Sequence, residues 1–76
     1  MGNRDKQIEL ISKAISLNPY VPAYHRNLGA GYYSQKEYLK AIESHLRAVE
    51  IEPGNGVNYH NLGSAFFRLK EYKKAI

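Results

Sequence analysis

The sequence predicts an all-α chain of antiparallel helix–turn–helix repeats stacked as an α-solenoid. Three observations predict it. Leu28-Gly29 returns as Leu62-Gly63, Pro19 returns as Pro53, and Ala41-Ile42 returns as Ala75-Ile76, each 34 residues on (28 to 62, 19 to 53, 41 to 75). Asn27 and Asn61, Tyr32 and Phe66, Glu37 and Glu71, and Tyr38 and Tyr72 share that register with no insertion. A fixed interval of this size marks units that each contact only their neighbours.

The elements follow in order. Ile8, Ile11, Ile15 and Ala14 fall on one stripe of a first helix, with Leu10 and Leu17 at its edges. Asn18-Pro19 ends it, because a residue before proline disfavours helical dihedrals. Pro22 opens a second helix at a position whose N–H would be unpaired anyway. That helix carries Tyr24, Leu28 and Tyr32 at helical spacing, and Gln35-Lys36-Glu37 closes it as a short polar connection. A third helix carries Tyr38, Ala41, Ile42, His45, Ala48 and Val49 and stops at Pro53-Gly54-Asn55-Gly56, the strongest breaker cluster in the chain. A fourth runs from about Val57 to Leu69 with Tyr59, Leu62, Phe66 and Leu69 inward, and a fifth is expected to begin near Glu71. Glycine in mid-helix costs about 1 kcal/mol relative to alanine. Its presence at both Gly29 and Gly63 therefore predicts a close helix approach at each. Glu43 and Arg47 are spaced as an i, i+4 ion pair.

Bulk composition narrows the classes. At 76 residues the chain is one small domain, burying about 60–65% of its unfolded surface. It has no cysteine, so neither disulfides nor thiolate metal sites support it. A hydrophobic content of 43% with 24% charge is that of an ordinary globular chain, not a disordered one. No apolar run nears the roughly 20 residues that span a bilayer. Met1–Lys6 carries no secretory-type apolar segment, so a cytoplasmic location is the default expectation. The net charge of +4 is concentrated at Arg68, Lys70, Lys73 and Lys74. With no aromatic stacking platform beside it, this cluster reads as a solvated helix end before it reads as a nucleic-acid patch.

Catalytic and metal chemistry find no support. His25, His45 and His60 lie on three different helices, not at i, i+4 on one, so packing is the expected role and no metal or cofactor is expected. The serines lack a nucleophile-elbow context. The carboxylates are scattered, mostly near a lysine or arginine. The chain is not expected to be an enzyme.

The combined landmarks resemble the tetratricopeptide repeat family, whose pattern is aromatic, Leu-Gly, aromatic, Ala, aromatic, Ala and Pro over 34 residues. Leu28-Gly29, Tyr32, Tyr38, Ala41, His45, Ala48 and Pro53 stand in those positions. The resemblance divides the single domain, 1–76, into the second helix of a preceding repeat (3–21), a complete repeat (22–55) and a truncated repeat (56–76). His25 stands where the family often has tryptophan, Gln7 where it has a small residue, and His45 where it has Phe or Tyr. The resemblance implies a right-handed superhelix fragment that acts as a protein–protein interaction module. Its concave groove would be lined by the first helix of each repeat and would take a peptide or protein segment, including an acidic one or a C-terminal carboxylate.

Carried over residue by residue, the partner-binding groove is Arg26, Asn27, Ala30, Tyr33 and Ser34, then His60, Asn61, Ser64, Phe67 and Arg68. Asparagine can both donate to and accept from a peptide backbone, and arginine can fork a carboxylate. An alternative of another class is self-association through uncapped ends, head-to-tail or by swapping helices, using Ile8, Ile11 and Ile15 against Tyr59, Leu62 and Phe66. A further alternative is an RNA-binding helical repeat. Its 35-residue period fits the spacing less well.

Overall fold

The computed structural model describes the backbone of residues 3–75 and the side chains of residues 5–74. It contains α1 (Asn3–Leu17), α2 (Pro22–Ser34), α3 (Tyr38–Ile51) and α4 (Gly56–Ala75), with no strand among the described residues. Pairs adjacent in sequence pack together: α1 on α2, α2 on α3, and α3 on α4, with a thin contact between α2 and α4. The result is an α-solenoid segment shaped as a slab of 38 × 34 × 14 Å.

Small residues let the helices approach. Ala41, Ser44, His45 and Ala48 recur at helical spacing and form the buried stripe of α3. Ala41, Ala48 and Ala65 are wholly buried. Gly29 is buried in α2, and a β-carbon there would lie 2.6 Å from His45 Cε1 and Nε2. The expected close approach at Gly29 is therefore present. At Gly63 it is not, since a β-carbon there would meet nothing within 4 Å. Gly31 has a tight contact that the repeat pattern does not flag. A β-carbon there would sit 3.1 Å from Ile8 Cγ1 of α1.

Turn chemistry sets the helix ends. Pro22 lies in the first turn of α2. At the other end Glu37 N–H donates to Tyr32 O (2.9 Å) and Lys36 N–H to Tyr33 O (3.0 Å). These are the two bonds of a Schellman motif, with Lys36 in the left-handed position at φ 64° where glycine is usual. Asn55 caps α4: its Oδ1 accepts from Val57 N–H at 2.9 Å.

Three expectations need correction. α4 is one helix of 20 residues, and no fifth helix begins near Glu71 among the described residues. Lys70 is the counterpart of Lys36, yet α4 runs straight through it. Apart from Tyr72, residues 69–74 are good helix formers, and helix is what they form. The inward stripe of α4 is Asn58, Leu62, Ala65 and Leu69, displaced by about one residue, while Tyr59 and Phe66 are about half exposed. The isoleucines of α1 are half-buried, and Ile8 and Ile11 line the cleft between α1 and α2. Arg47 pairs with Glu50 at 3.1 Å, not with Glu43. The Ala75-Ile76 landmark extends beyond the described side chains.

Candidate functional site

Hollows open on both sides of α2, one toward α1 and two toward α4. Between α2 and α4, Tyr33, Tyr59, His60, Gly63, Ser64, Phe67 and Arg68 line a hollow of about 410 Å³. It shares Tyr33 and Ser64 with a hollow of about 280 Å³ that adds Ala30, His45 and Asn61. Between α1 and α2, Asn27, Ala30 and Ser34 join Gln7, Leu10 and Ile11 around a cleft of about 450 Å³. Ala30 borders both sides. The structure thus brings Ala30, Tyr33, His60, Asn61, Ser64, Phe67 and Arg68 together, and places Asn27 and Ser34 in the neighbouring cleft.

Aromatic and cationic groups organise the α2–α4 side. Arg68 Nε donates to Tyr33 Oη at 2.9 Å, which ties the two helices across the hollow. Tyr33 meets Tyr38 edge-on at 5.5 Å, and Tyr38 meets Tyr72 edge-on at 6.1 Å. Such edge-to-face pairs add about 0.5–1.5 kcal/mol each beyond area burial. This chain of rings fixes the end of the hollow. Phe67 and His60 stand exposed beside it.

Arg26 is placed differently from the other groove candidates. Its Nη1 donates to Glu52 Oε1 at 2.9 Å and to Asn58 Oδ1 at 3.1 Å. Asn58 is wholly buried, and its Nδ2 donates to Ala48 O at 3.2 Å and to Glu52 Oε1 at 3.3 Å. Asn55 Nδ2 also donates to Glu52 Oε1, at 3.1 Å. These donors, Asn55 first and Arg26 next, hold the Glu52 carboxyl below the ordinary carboxylate range. The network clasps α2 to the end of α3 and the start of α4. Asn58 and Asn55 are absent from the groove predicted by register. The spacing of Asn58, Leu62 and Ala65 on one stripe is the signal that would have found Asn58.

The histidines do three different things. His25 is buried, and its Nε2 donates to Pro19 O at 2.8 Å, pinning α2 to the preceding turn. His45 is buried with no hydrogen-bond partner for Nδ1, and burial pushes its pKa below the ordinary histidine value. His60 faces the hollow. Among the described residues no group of three His, Cys, Asp or Glu side chains is placed to hold a metal ion.

Paired antiparallel helices in a constant register, with a concave face between their first members, define a helical-repeat protein. The tetratricopeptide repeat family model matches residues 58–76, most of α4. That match supports a tetratricopeptide repeat family for the chain. No curated protein matches it significantly. Repeats of this family generally mediate protein–protein interaction and are typically non-enzymatic scaffolds. Among the described residues no helix is long and apolar enough to cross a membrane.

Proposed function

We propose that this chain is a protein–protein interaction module whose α2–α4 hollow takes a peptide or protein segment bearing a carboxylate. One observation carries the reading. Tyr33 from α2 and Asn61, Ser64, Phe67 and Arg68 from α4 border two adjoining hollows that share Tyr33 and Ser64. Tyr33 and Phe67 supply apolar anchoring. Asn61 and Ser64 supply hydrogen bonds for an extended backbone. Arg68, with Lys70, Lys73 and Lys74 further along α4, supplies the positive field that favours an acidic segment. Arg26 has a supporting role in this reading, since Glu52 and Asn58 already engage it. Asn27 and Ser34 extend the contact toward α1 for a longer segment.

An array of short peptides, with acidic residues placed internally or at a free C-terminus, supplies a ligand for the test. Phe67→Ala and Arg68→Gln should each weaken the best binder by about tenfold or more, equivalent to about 1.4 kcal/mol, with helicity unchanged. Amide chemical-shift changes should cluster on α2 and α4. Changes centred on Leu39 and Leu46 of α3, or affinity indifferent to both substitutions, would show that the hollow is not the site.

A further inference from the structure

Tyr33 and Arg68 stand 35 residues apart, one more than the repeat interval. Their counterparts one period away are Phe67 and Ser34. Phenylalanine has no hydroxyl and serine no guanidinium, so the tie between Tyr33 and Arg68 is not a product of the repeat. The charge on Arg68 is set apart as well. Arg26 is paired with Glu52 at 2.9 Å and Arg47 with Glu50 at 3.1 Å. Among the described residues no carboxylate lies within 4.0 Å of the Arg68 guanidinium. Glu71 acts on it through space without a contact.

One neutral group orients this cation. Arg68 Nε–H donates to Tyr33 Oη at 2.9 Å. Tyr33 is itself held, because its ring meets Tyr38 edge-on at 5.5 Å. A guanidinium carries all its N–H donors in one plane. With Nε–H engaged, those on Nη1 and Nη2 remain, and no acceptor among the described residues takes them. The outer pair is parallel and matches the two oxygens of one carboxylate. Arg68 is exposed, so an incoming anion reaches it.

We infer that Tyr33 is a positioning residue: its phenolic oxygen holds Arg68 so that Nη1 and Nη2 meet a carboxylate end-on, which makes the hollow select a carboxylate over its neutral amide. The inference rests on the partner-binding reading of that hollow and deepens it, since there Tyr33 has an apolar role only. An arginine already oriented has less freedom to lose when the anion arrives. An Asp or Glu side chain and a free C-terminus present the same two oxygens.

The test uses the tightest-binding peptide of the acidic array in three forms: with its carboxylates intact, with the C-terminus amidated, and with its side-chain carboxylates replaced by carboxamides. The last two tell which source supplies the anion. Tyr33→Phe keeps the ring and removes only Oη. It should weaken the intact form about three- to tenfold and leave the form lacking the recognised carboxylate unchanged. In an Arg68→Gln background Tyr33→Phe should have no further effect. Without peptide, the Arg68 Nε–H should exchange with water more slowly in the wild-type chain than in Tyr33→Phe. Equal exchange in the two chains, or equal weakening of all three peptide forms, overturns the positioning role. So does affinity that falls with Arg68→Gln but not with Tyr33→Phe, which leaves the partner reading standing. If no peptide binds, or Arg68→Gln changes nothing, the partner reading falls and this inference with it.

Discussion

Gly29 and His45 share one volume: the imidazole of α3 lies where a β-carbon on α2 would be, 2.6 Å from its ideal position. The ring is held in a buried site and cannot swing away without disturbing α3. Gly29→Ala should therefore destabilise the fold by about 1–3 kcal/mol through overpacking, even though alanine is the better helix former. The same substitution at the open position, Gly63→Ala, should stabilise a dilute single copy by up to about 1 kcal/mol. Denaturant midpoints of the two variants, measured at one low concentration, should move in opposite directions.

His45 makes stability depend on pH. Its folded pKa is lowered by burial, so below the ordinary value of about 6.5 the unfolded chain takes up a proton that the folded chain resists. The stabilisation is full above about pH 6.5 and is lost as the pH falls below it. His45→Gln should flatten the melting temperature between pH 7.5 and 5.5. A wild-type curve without slope in that window would contradict this assignment.

Glu52 acts in a lower window. Hydrogen bonds from Asn55 and Arg26 depress its pKa, so its contribution persists above the ordinary carboxylate range and disappears as the pH drops through the depressed value. Glu52→Gln should remove part of the acid-induced loss below about pH 4.3 and leave the His45 window unchanged. Unfolding midpoints of the two single variants and the double variant separate the contributions.

Asn58→Ala would leave the Ala48 carbonyl without its side-chain donor and the Arg26 guanidinium without one acceptor. Unmade buried hydrogen bonds cost about 1–3 kcal/mol. The urea midpoint should fall accordingly, with an unchanged m-value.

Lys36 and Lys70 should respond oppositely to glycine. Lys36 sits at φ 64°, a conformation that costs a residue with a side chain about 1–2 kcal/mol, so Lys36→Gly should be stabilising. Lys70 is inside α4, so Lys70→Gly should lower helicity and cost about 1 kcal/mol. Circular dichroism with thermal melts checks both.

The constant interval made the helix pairs and the Gly29 approach legible from the sequence, because packing of sequential neighbours reproduces itself wherever its landmarks recur. It could not reveal Asn58, whose counterpart is Tyr24. The Asn58 network belongs to one place in the chain, whereas the close approach at Gly31 is matched by another small buried residue, Ala65, one period on. The turn expected near Glu71 failed for a different reason. Lys36 turns where α3 folds back on α2, whereas local helix preference carries α4 through Lys70. The structure sets Tyr33, Ser64, Phe67 and Arg68 around one hollow and Asn61 in the adjoining one. Register could not show that Glu52 and Asn58 engage Arg26, because a position on a face says nothing about which acceptors wait beside it.

A slab 14 Å through has no deep interior in which a single nucleus could hold everything else. Cohesion passes mainly from each helix to the next, with a thinner tie between α2 and α4, so thermal disruption should begin at the flanks and move inward. α1, packed on one side alone, should be the first to fray. Its amides should exchange with solvent sooner than those of α3, which is clasped on both sides.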